Sequence, residues 1–292
     1  MGQDGLALEY ASEELKADRE IVLTAVKQDG LALQWASEKL KADREVVAMA
    51  AQRDVDYLEH ASGEVLDNEK RVLRLVRQNH RALRHASARL KEDKAFILEA
   101  VGQNGLALQH VEEKFKKDKD VVLAAALKNG RALKFADKEL KKDRELVLKV
   151  VQKNGKALEF ASEELRQDRE VVLAAVRQNG RALKYADAEL KKDPGLVIEA
   201  LLSSIESKKN NRQPIDGILR EKELFTIFKQ FVKDHYHNHE ILWDYFGKNG
   251  MKELYDMVIK CRDDSLVATQ GFSPTPSGAT LASHSLSDSS RQ

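Results

Sequence analysis

A 25-residue pattern, repeated eight times without insertion or deletion, constrains this chain more than any other feature. The fifth residue of every copy is leucine. The copies begin at Asp4, Asp29, Asp54, Asn79, Asn104, Asn129, Asn154 and Asn179. Repeats of one fixed length stack on one another and bury a continuous core. We number the repeats 1 to 8 and the positions 1 to 25, and we predict a repeat array over residues 4–203.

Each repeat carries two clusters of apolar residues with i, i+3, i+4, i+7 spacing, which predicts two helices of about ten residues each. Position 15 is aspartate in seven repeats and Asn68 in repeat 3, and both residue types cap helix starts. Pro194 follows this position in repeat 8, at the first helical residue, where proline is tolerated. The sequence therefore predicts an all-α solenoid of helical hairpins.

Asn-Gly or Asp-Gly follows the second predicted helix in six repeats. Glycine readily adopts the left-handed conformation that ends many helices, so we predict it as the helix terminator. Val55 and His80 replace this glycine, and we expect those two junctions to be strained or differently shaped. A serine at position 9, exchanged for acidic residues in three repeats, indicates a solvent-facing or locally hydrogen-bonded site inside the first helix.

The chain beyond the array has a different pattern. Residues 204–214 are polar and predict a linker. Residues 215–261 hold three apolar stripes with helical spacing, which predict a C-terminal helical cap that covers the last repeat. Residues 262–292 are rich in serine and predict a disordered tail.

Composition excludes several classes of protein. The 292 residues include 49 Lys plus Arg against 48 Asp plus Glu, so the net charge does not indicate a polyanion partner. No apolar run approaches the roughly 20 residues of a membrane span, and the amino terminus resembles no signal peptide. With one cysteine, Cys261, we expect an intracellular, cytoplasmic protein without a membrane partner. No catalytic motif is present, so we expect neither enzymatic activity nor a cofactor.

Two motifs connect the chain to a known family. Asn-Gly-x-Ala-Leu-x-aromatic-Ala-Ser and Leu-x-x-Asp-Arg-Glu-Val-Val-Leu are both present between Asn154 and Val176. The pattern over residues 4–203 resembles the repeat family described as domain of unknown function 4116. The resemblance implies a repeat protein and no particular chemistry, because that family has no catalytic residues to carry over.

Position 7 forms a column of rings: Tyr10, Trp35, His60, His85, His110, Phe135, Phe160 and Tyr185. Such a ladder is what a reader of single-stranded RNA or DNA needs for base stacking. The alternative, which we prefer, is packing between repeats. The three histidines lie in successive layers about 9–10 Å apart, too far for a shared metal ion. The histidines at 235, 237 and 239 lack a further metal-binding motif.

Basic residues also recur at position 13, seven times in eight repeats. They predict either a basic ridge or local compensation of the helix dipole by charges near helix ends. Repeat 6 has the largest excess of basic residues and is the one local anion-binding candidate. Because the charge of the chain is nearly balanced, neither feature makes a polyanion the preferred partner.

We interpret the chain as a non-enzymatic scaffold or adaptor that binds a protein or peptide partner, because solenoids offer extended surfaces. Binding of single-stranded nucleic acid is the alternative. The chemistry of positions 3 and 6 varies most among repeats, so we expect contacts there. The candidate binding residues are Arg81, Arg84, Arg131, Lys134, Lys156, Glu159, Arg181 and Lys184.

Overall fold

The computed structural model describes residues 4–210, which form eight stacked helical repeats with no strand in that range. Each of repeats 1 to 7 has three pieces: a six-residue 3₁₀ helix, an α-helix of four or five residues, and a ten-residue α-helix. In repeat 8 a second 3₁₀ turn, Leu190–Lys192, replaces the short α-helix. The all-α repeat array that the sequence predicts is confirmed.

The long helices, numbered by repeat, form one tier of the array. They are α1 (Arg19–Gln28), α2 (Arg44–Arg53), α3 (Glu69–Gln78), α4 (Lys94–Gln103), α5 (Lys119–Lys128), α6 (Arg144–Lys153), α7 (Arg169–Gln178) and α8 (Pro194–Asn210). Each α-helix from α1 to α7 starts at position 16, directly after the predicted cap. In α5, for example, the Asp118 carboxylate accepts from the backbone N–H groups of Asp120 and Val121.

The 3₁₀ helices form a second tier. They are Gly5–Tyr10, Gly30–Trp35, Val55–His60, His80–His85, Gly105–His110, Gly130–Phe135, Gly155–Phe160 and Gly180–Tyr185. The short α-helices are Glu13–Ala17, Glu38–Lys41, Gly63–Leu66, Ala88–Glu92, Glu113–Lys116, Lys138–Lys142 and Glu163–Arg166.

The prediction of one continuous first helix is therefore wrong. The chain leaves the helical region at positions 8 and 9, where Ala11 and Ser12 have ψ angles of 155° and 159°. Ser12 is not inside a helix but caps the short one, since its side-chain oxygen accepts from the N–H of Leu15. Asp137 does the same for Glu139 at 3.0 Å, which explains why serine and aspartate exchange here.

Position 9 also joins the repeats through the backbone. The N–H of Ser37 donates to the carbonyl of Lys16 in the preceding repeat at 3.0 Å, and Ser162 donates to Lys141 at the same distance. The pair Asp187 and Arg166 repeats the bond. Each bond satisfies a carbonyl near the end of a short helix, so an inter-repeat hydrogen bond holds the second tier together at six of the seven junctions.

The glycine at position 2 has a different role from the predicted one. The residue before it is extended, as Asn129 shows with φ −147° and ψ 110°, and its side chain caps the next 3₁₀ helix. A Cβ added to Gly105 would lie only 2.3 Å from the carbonyl oxygen of Ala125. Close approach of the 3₁₀ helix to the long helix, rather than a left-handed turn, therefore selects glycine here.

The two junctions without glycine keep the ordinary turn. Asp54 before Val55 has φ −148° and ψ 133°, and Asn79 before His80 has φ −144° and ψ 115°. The expectation of backbone strain in these turns is wrong, because Asp54 and Asn79 have the same extended torsions as the residues that precede glycine. Val55 is buried and adds its side chain to the core.

The core runs between the two tiers. Every leucine at position 5 is at most 3% exposed, and so is every Val or Ile at position 19. These two columns face each other in successive layers and exclude water along the array. The predicted core face is confirmed.

Helix α8 runs to Asn210, past the end of repeat 8. Residues 204–210 of the predicted linker are therefore helical, because Ser204-Ile205 stands where the other repeats have a capping Asp or Asn followed in most by glycine. The buried Ser204 hydroxyl instead donates to the Ala200 carbonyl within the helix. The predicted cap (215–261), tail (262–292) and the histidines at 235, 237 and 239 lie outside the described residues.

Candidate binding surfaces

Positions 3 and 6 form one surface. Because a 3₁₀ helix has three residues per turn, side chains three apart eclipse each other. Positions 2 and 5 accordingly point into the core, whereas positions 3 and 6 point away from it. We call the side chains at positions 3 and 6 the 3₁₀ face. All eight sequence-predicted binding residues lie on it: Arg81, Arg84, Arg131, Lys134, Lys156, Glu159, Arg181 and Lys184.

In repeat 4 the cations of the 3₁₀ face already have a partner within the protein. One carboxylate oxygen of Asp56 lies 2.7 Å from the Arg81 guanidinium. The other lies 3.4 Å from both Arg84 and the His85 ring. The structure thus brings Arg81 and Arg84 together around Asp56 of the preceding repeat, whose carboxylate offsets one of their two positive charges.

In repeats 6 and 7 the situation is different. Arg131, Lys134 and Lys156 are exposed, and within residues 4–210 their side chains have no hydrogen-bond or ion-pair partner. In repeat 8 the Lys184 ammonium lies 4.9 Å from the centre of the Tyr185 ring. Glu159 is the only acidic residue on the face in repeats 6 to 8, where it stands beside five cations. This part of the 3₁₀ face is basic and accessible.

The ring column at position 7 is half-buried in repeats 2 to 8. The His85 ring contacts Asp56 and the His110 ring stacks on His80, so both rings pack against the preceding repeat. Tyr10, in repeat 1, is 86% exposed. Over the described repeats the rings act mainly as spacers between layers, in line with the packing interpretation.

His110 pairs with His80, not with its neighbours in the column. The two rings are 5.2 Å apart with an interplanar angle of 14°, and Nδ1 of His80 lies 3.1 Å from Nε2 of His110. Burial, followed by the positive charge of His80 and Arg84, lowers the pKa of His110 to about 4. Burial, followed by the positive charge of Arg81, also lowers the pKa of His80, so both rings are neutral at neutral pH. Residues 4–210 contain no cluster of three groups able to hold a metal ion.

The lysines at position 13 are engaged locally. The ammonium groups of Lys16 and Lys41 lie 3.0 and 2.9 Å from glutamates three residues earlier. Lys141 donates to the backbone carbonyl of Lys134 at 2.7 Å. These side chains are half-buried, so position 13 stabilises the ends of the short helices rather than forming a free basic ridge.

A ladder of ion pairs joins the amino-terminal ends of successive long helices. The cation at position 16 of one repeat reaches the aspartate at position 15 of the next and, in most repeats, the acid at position 17. Arg144, for example, lies 2.7 Å from Asp168 and also bonds Glu170. The same contacts recur for Arg19, Lys94, Lys119 and Arg169.

The ladder is interrupted between repeats 2 and 3, and also between repeats 3 and 4, where the acid Glu69 holds position 16. Arg44 holds position 16 of repeat 2, but repeat 3 offers Asn68 and Lys70 where the ladder has acids. Helices α2 and α3 also make fewer contacts than any other successive pair of long helices. They leave a cleft of about 990 Å³ between them. The cleft was not predicted from the sequence, although Asn68 and Lys70 are visible departures from the repeat.

None of the helices in residues 4–210 combines the length and apolar character needed to cross a bilayer. Among curated proteins no match was found, and none among solved structures. The family model described as domain of unknown function (DUF4116) matches six times, at residues 1–41, 18–66, 68–116, 96–141, 143–191 and 168–204. These matches coincide with the stacked repeats. The chain belongs to the DUF4116 family.

Proposed function

We propose that this repeat protein is a non-enzymatic scaffold that binds an acidic protein or peptide segment along the 3₁₀ face of repeats 6 to 8. The observation that carries the proposal is the group of exposed, uncompensated cations Arg131, Lys134 and Lys156 on a rigid frame. The cap at position 15 and the leucine column are constant from layer to layer, and the inter-repeat backbone bond recurs at six of the seven junctions. A constant frame with variable exposed side chains is how solenoids achieve specificity.

The charge of the 3₁₀ face differs between the two ends of the array, and this difference determines which repeats an acidic partner binds. Repeats 1 to 3 carry Glu9, Asp56 and Glu59 on this face and no cation. Repeats 6 to 8 carry five cations and Glu159. An acidic segment is attracted to repeats 6 to 8 and repelled from repeats 1 to 3, and such complementarity fixes register and accelerates association.

A peptide probe follows from the layer spacing. Neighbouring repeats lie about 9–10 Å apart, and an extended peptide rises about 3.3 Å per residue. Carboxylates at every third residue therefore match successive layers. We expect a labelled nonapeptide made of three Ser-Glu-Ser units to bind the full chain in a fluorescence anisotropy titration, and its Ser-Gln-Ser counterpart to bind at least tenfold more weakly.

The variant Lys134→Glu/Lys156→Glu should weaken the glutamate peptide at least tenfold. Lys27→Glu/Lys128→Glu makes the same charge change at exposed positions of α1 and α5 and should leave affinity within about twofold. An equal loss of affinity in both variants would show that binding depends only on the net charge of the protein, and it would contradict the proposal. A single-stranded RNA that binds more tightly than the peptide would favour the nucleic-acid alternative.

A further inference from the structure

The cleft between α2 and α3 has a specific origin on its α2 side. Position 20 is leucine or isoleucine in seven repeats, but in repeat 2 it is Ala48. Ala48 lines the cleft, so position 20 of this helix faces repeat 3. The missing side-chain volume leaves space that the other repeats fill.

The α3 side departs from the repeat as well. Position 18 is apolar in the other seven repeats, and it is buried in all of those except repeat 1. In repeat 3 it is Arg71, which cannot be buried without a partner. One guanidinium nitrogen of Arg71 donates to the carbonyl of Ala42 at 3.0 Å, so the side chain spans the interface instead of closing it.

The walls of the cleft are strongly basic. Arg44, Lys70, Arg71 and Arg74 line it, and within residues 4–210 the side chains of Arg44, Lys70 and Arg74 have no ion-pair or hydrogen-bond partner. The two acids at the cleft, Asp43 and Glu45, are both held by Arg19. The available charge in the cleft between α2 and α3 is therefore positive.

The floor of the cleft is apolar. Val47 and Leu75 contribute from the two helices, and Val65 contributes from the short helix of repeat 3. The second tier stays closed beneath it, since the backbone N–H of Ser62 still donates to the Lys41 carbonyl at 3.0 Å. The volume of about 990 Å³ lies at the upper end of the range of ligand pockets.

We propose that this cleft binds an acidic peptide segment whose carboxylates pair with Arg44, Lys70 and Arg74 and whose central aliphatic side chain rests on Val47 and Leu75. Charge complementarity commits the site to this ligand. Four neighbouring cations repel one another and favour an open interface, and bound carboxylates replace the acids that the ladder supplies elsewhere. The site deepens the scaffold function proposed above and rests on it for the class of partner, but it uses different residues.

The test uses the full chain and a labelled hexapeptide, Glu-Asp-Asp-Leu-Glu-Asp, at 150 mM salt. We expect saturable binding, with at least tenfold weaker binding of Gln-Asn-Asn-Leu-Gln-Asn. Arg44→Glu/Arg74→Glu should weaken binding at least tenfold. Lys134→Glu/Lys156→Glu, which alters only the 3₁₀ face, should change it less than twofold, so that failure of either site is distinguishable from failure of the other.

A second variant tests the cleft without adding negative charge. Ala48→Leu/Arg71→Val installs the residues that repeat 5 carries at these positions, namely Leu123 and Val121. It should close the cleft, abolish binding and keep the thermal midpoint equal or higher. Unchanged binding by this folded variant would overturn the proposal, as would tighter binding of a six-nucleotide RNA than of the acidic peptide.

Discussion

His80 and His110, from repeats 4 and 5, stack with their nearest ring nitrogens 3.1 Å apart. His80 takes the place of the glycine at position 2 and His110 belongs to the ring column. Two neutral imidazoles can share a hydrogen bond, whereas two protonated ones repel each other. Arg81 and Arg84, which contribute to the lowered pKa of His110, add further repulsion.

This pair predicts a pH dependence of stability. In the unfolded chain histidine binds a proton near pH 6.5, but in the folded chain the pKa of His110 is about 4. Its contribution to stability is therefore complete above about pH 6.5 and decreases as the pH falls from 6.5 to 4. We expect the thermal midpoint to fall across this window and the slope to be smaller in His110→Phe, which installs a ring found in repeats 6 and 7. An equal slope in both proteins would contradict the assignment.

The aspartate caps predict a second decrease in stability, at a lower pH. The ammonium of Lys119 and the backbone N–H of Leu146 lower the pKa of Asp143 below its usual value of 3.8. A carboxyl group with a lowered pKa stabilises the fold above that usual value and ceases to do so as pH falls through the folded pKa. Stability should therefore decrease again below about pH 4, and Asp143→Asn should reduce this second decline in acid titrations followed by circular dichroism.

Alanine substitutions at two glycines can distinguish the effect of close approach between helices from the effect of backbone freedom. An alanine Cβ at position 105 would lie 2.3 Å from the Ala125 carbonyl oxygen, whereas one at Gly102 would meet nothing within 4 Å. Gly105→Ala should cost about 1–3 kcal/mol through the forced shift. Gly102→Ala, in the exposed last turn of α4, should stabilise by up to about 1 kcal/mol. Urea denaturation checks both, and a harmless Gly105→Ala would refute the close-approach account.

The leucine column should contribute more to the free energy of unfolding than the caps do. Leu133 is fully buried, so Leu133→Ala should destabilise by about 2–5 kcal/mol through lost burial and a cavity. Asp143→Ala removes a cap bond of 3.0 Å to Leu146 and should cost about 0.5–2 kcal/mol. If the alanine at 133 were tolerated in denaturant melts, the assignment of the core face would be wrong.

Restoring the ion-pair ladder should strengthen the weak junction. Asn68→Asp/Lys70→Glu places acids opposite Arg44, as at the junction where Arg144 meets Asp168 and Glu170. We expect a higher thermal midpoint at low salt and a smaller gain at high salt, because exposed charges are screened. The matched change at an intact junction, Asp168→Asn/Glu170→Lys, should lower the midpoint. A gain that does not depend on salt would contradict the electrostatic explanation.

Most of the fold could be predicted from the sequence because it depends on interactions within a single repeat. The aspartates at position 15 and the leucines at position 5 act within one repeat, so their pattern alone indicates cap and core. The 3₁₀ helix was missed because a six-residue segment with apolar positions at two of three residues also fits an α-helical stripe. The exchange of Ser12 and Asp137 at position 9 was the available signal, because both residue types cap helix starts and so indicate that a new helix begins there.

The cleft could not be predicted from motifs, because it arises from departures at facing positions of two repeats. Ala48 alone is a conservative change and Arg71 alone is an exposed-looking arginine. Only the stacking shows that positions 18 and 20 meet across the interface. Similarly, Arg81 and Arg131 occupy the same position of the repeat, but within residues 4–210 Asp56 pairs with Arg81 and no acid pairs with Arg131.

Zero-length cross-linking tests the scaffold account most directly. A carbodiimide joins a carboxylate to an amine only where they touch, and the adducts can be located by mass spectrometry. With the nonapeptide of Ser-Glu-Ser units on the full chain, the account predicts adducts on Lys134, Lys156 and Lys184. Adducts spread equally over exposed lysines such as Lys27 and Lys128, or absent from the 3₁₀ face, would contradict it.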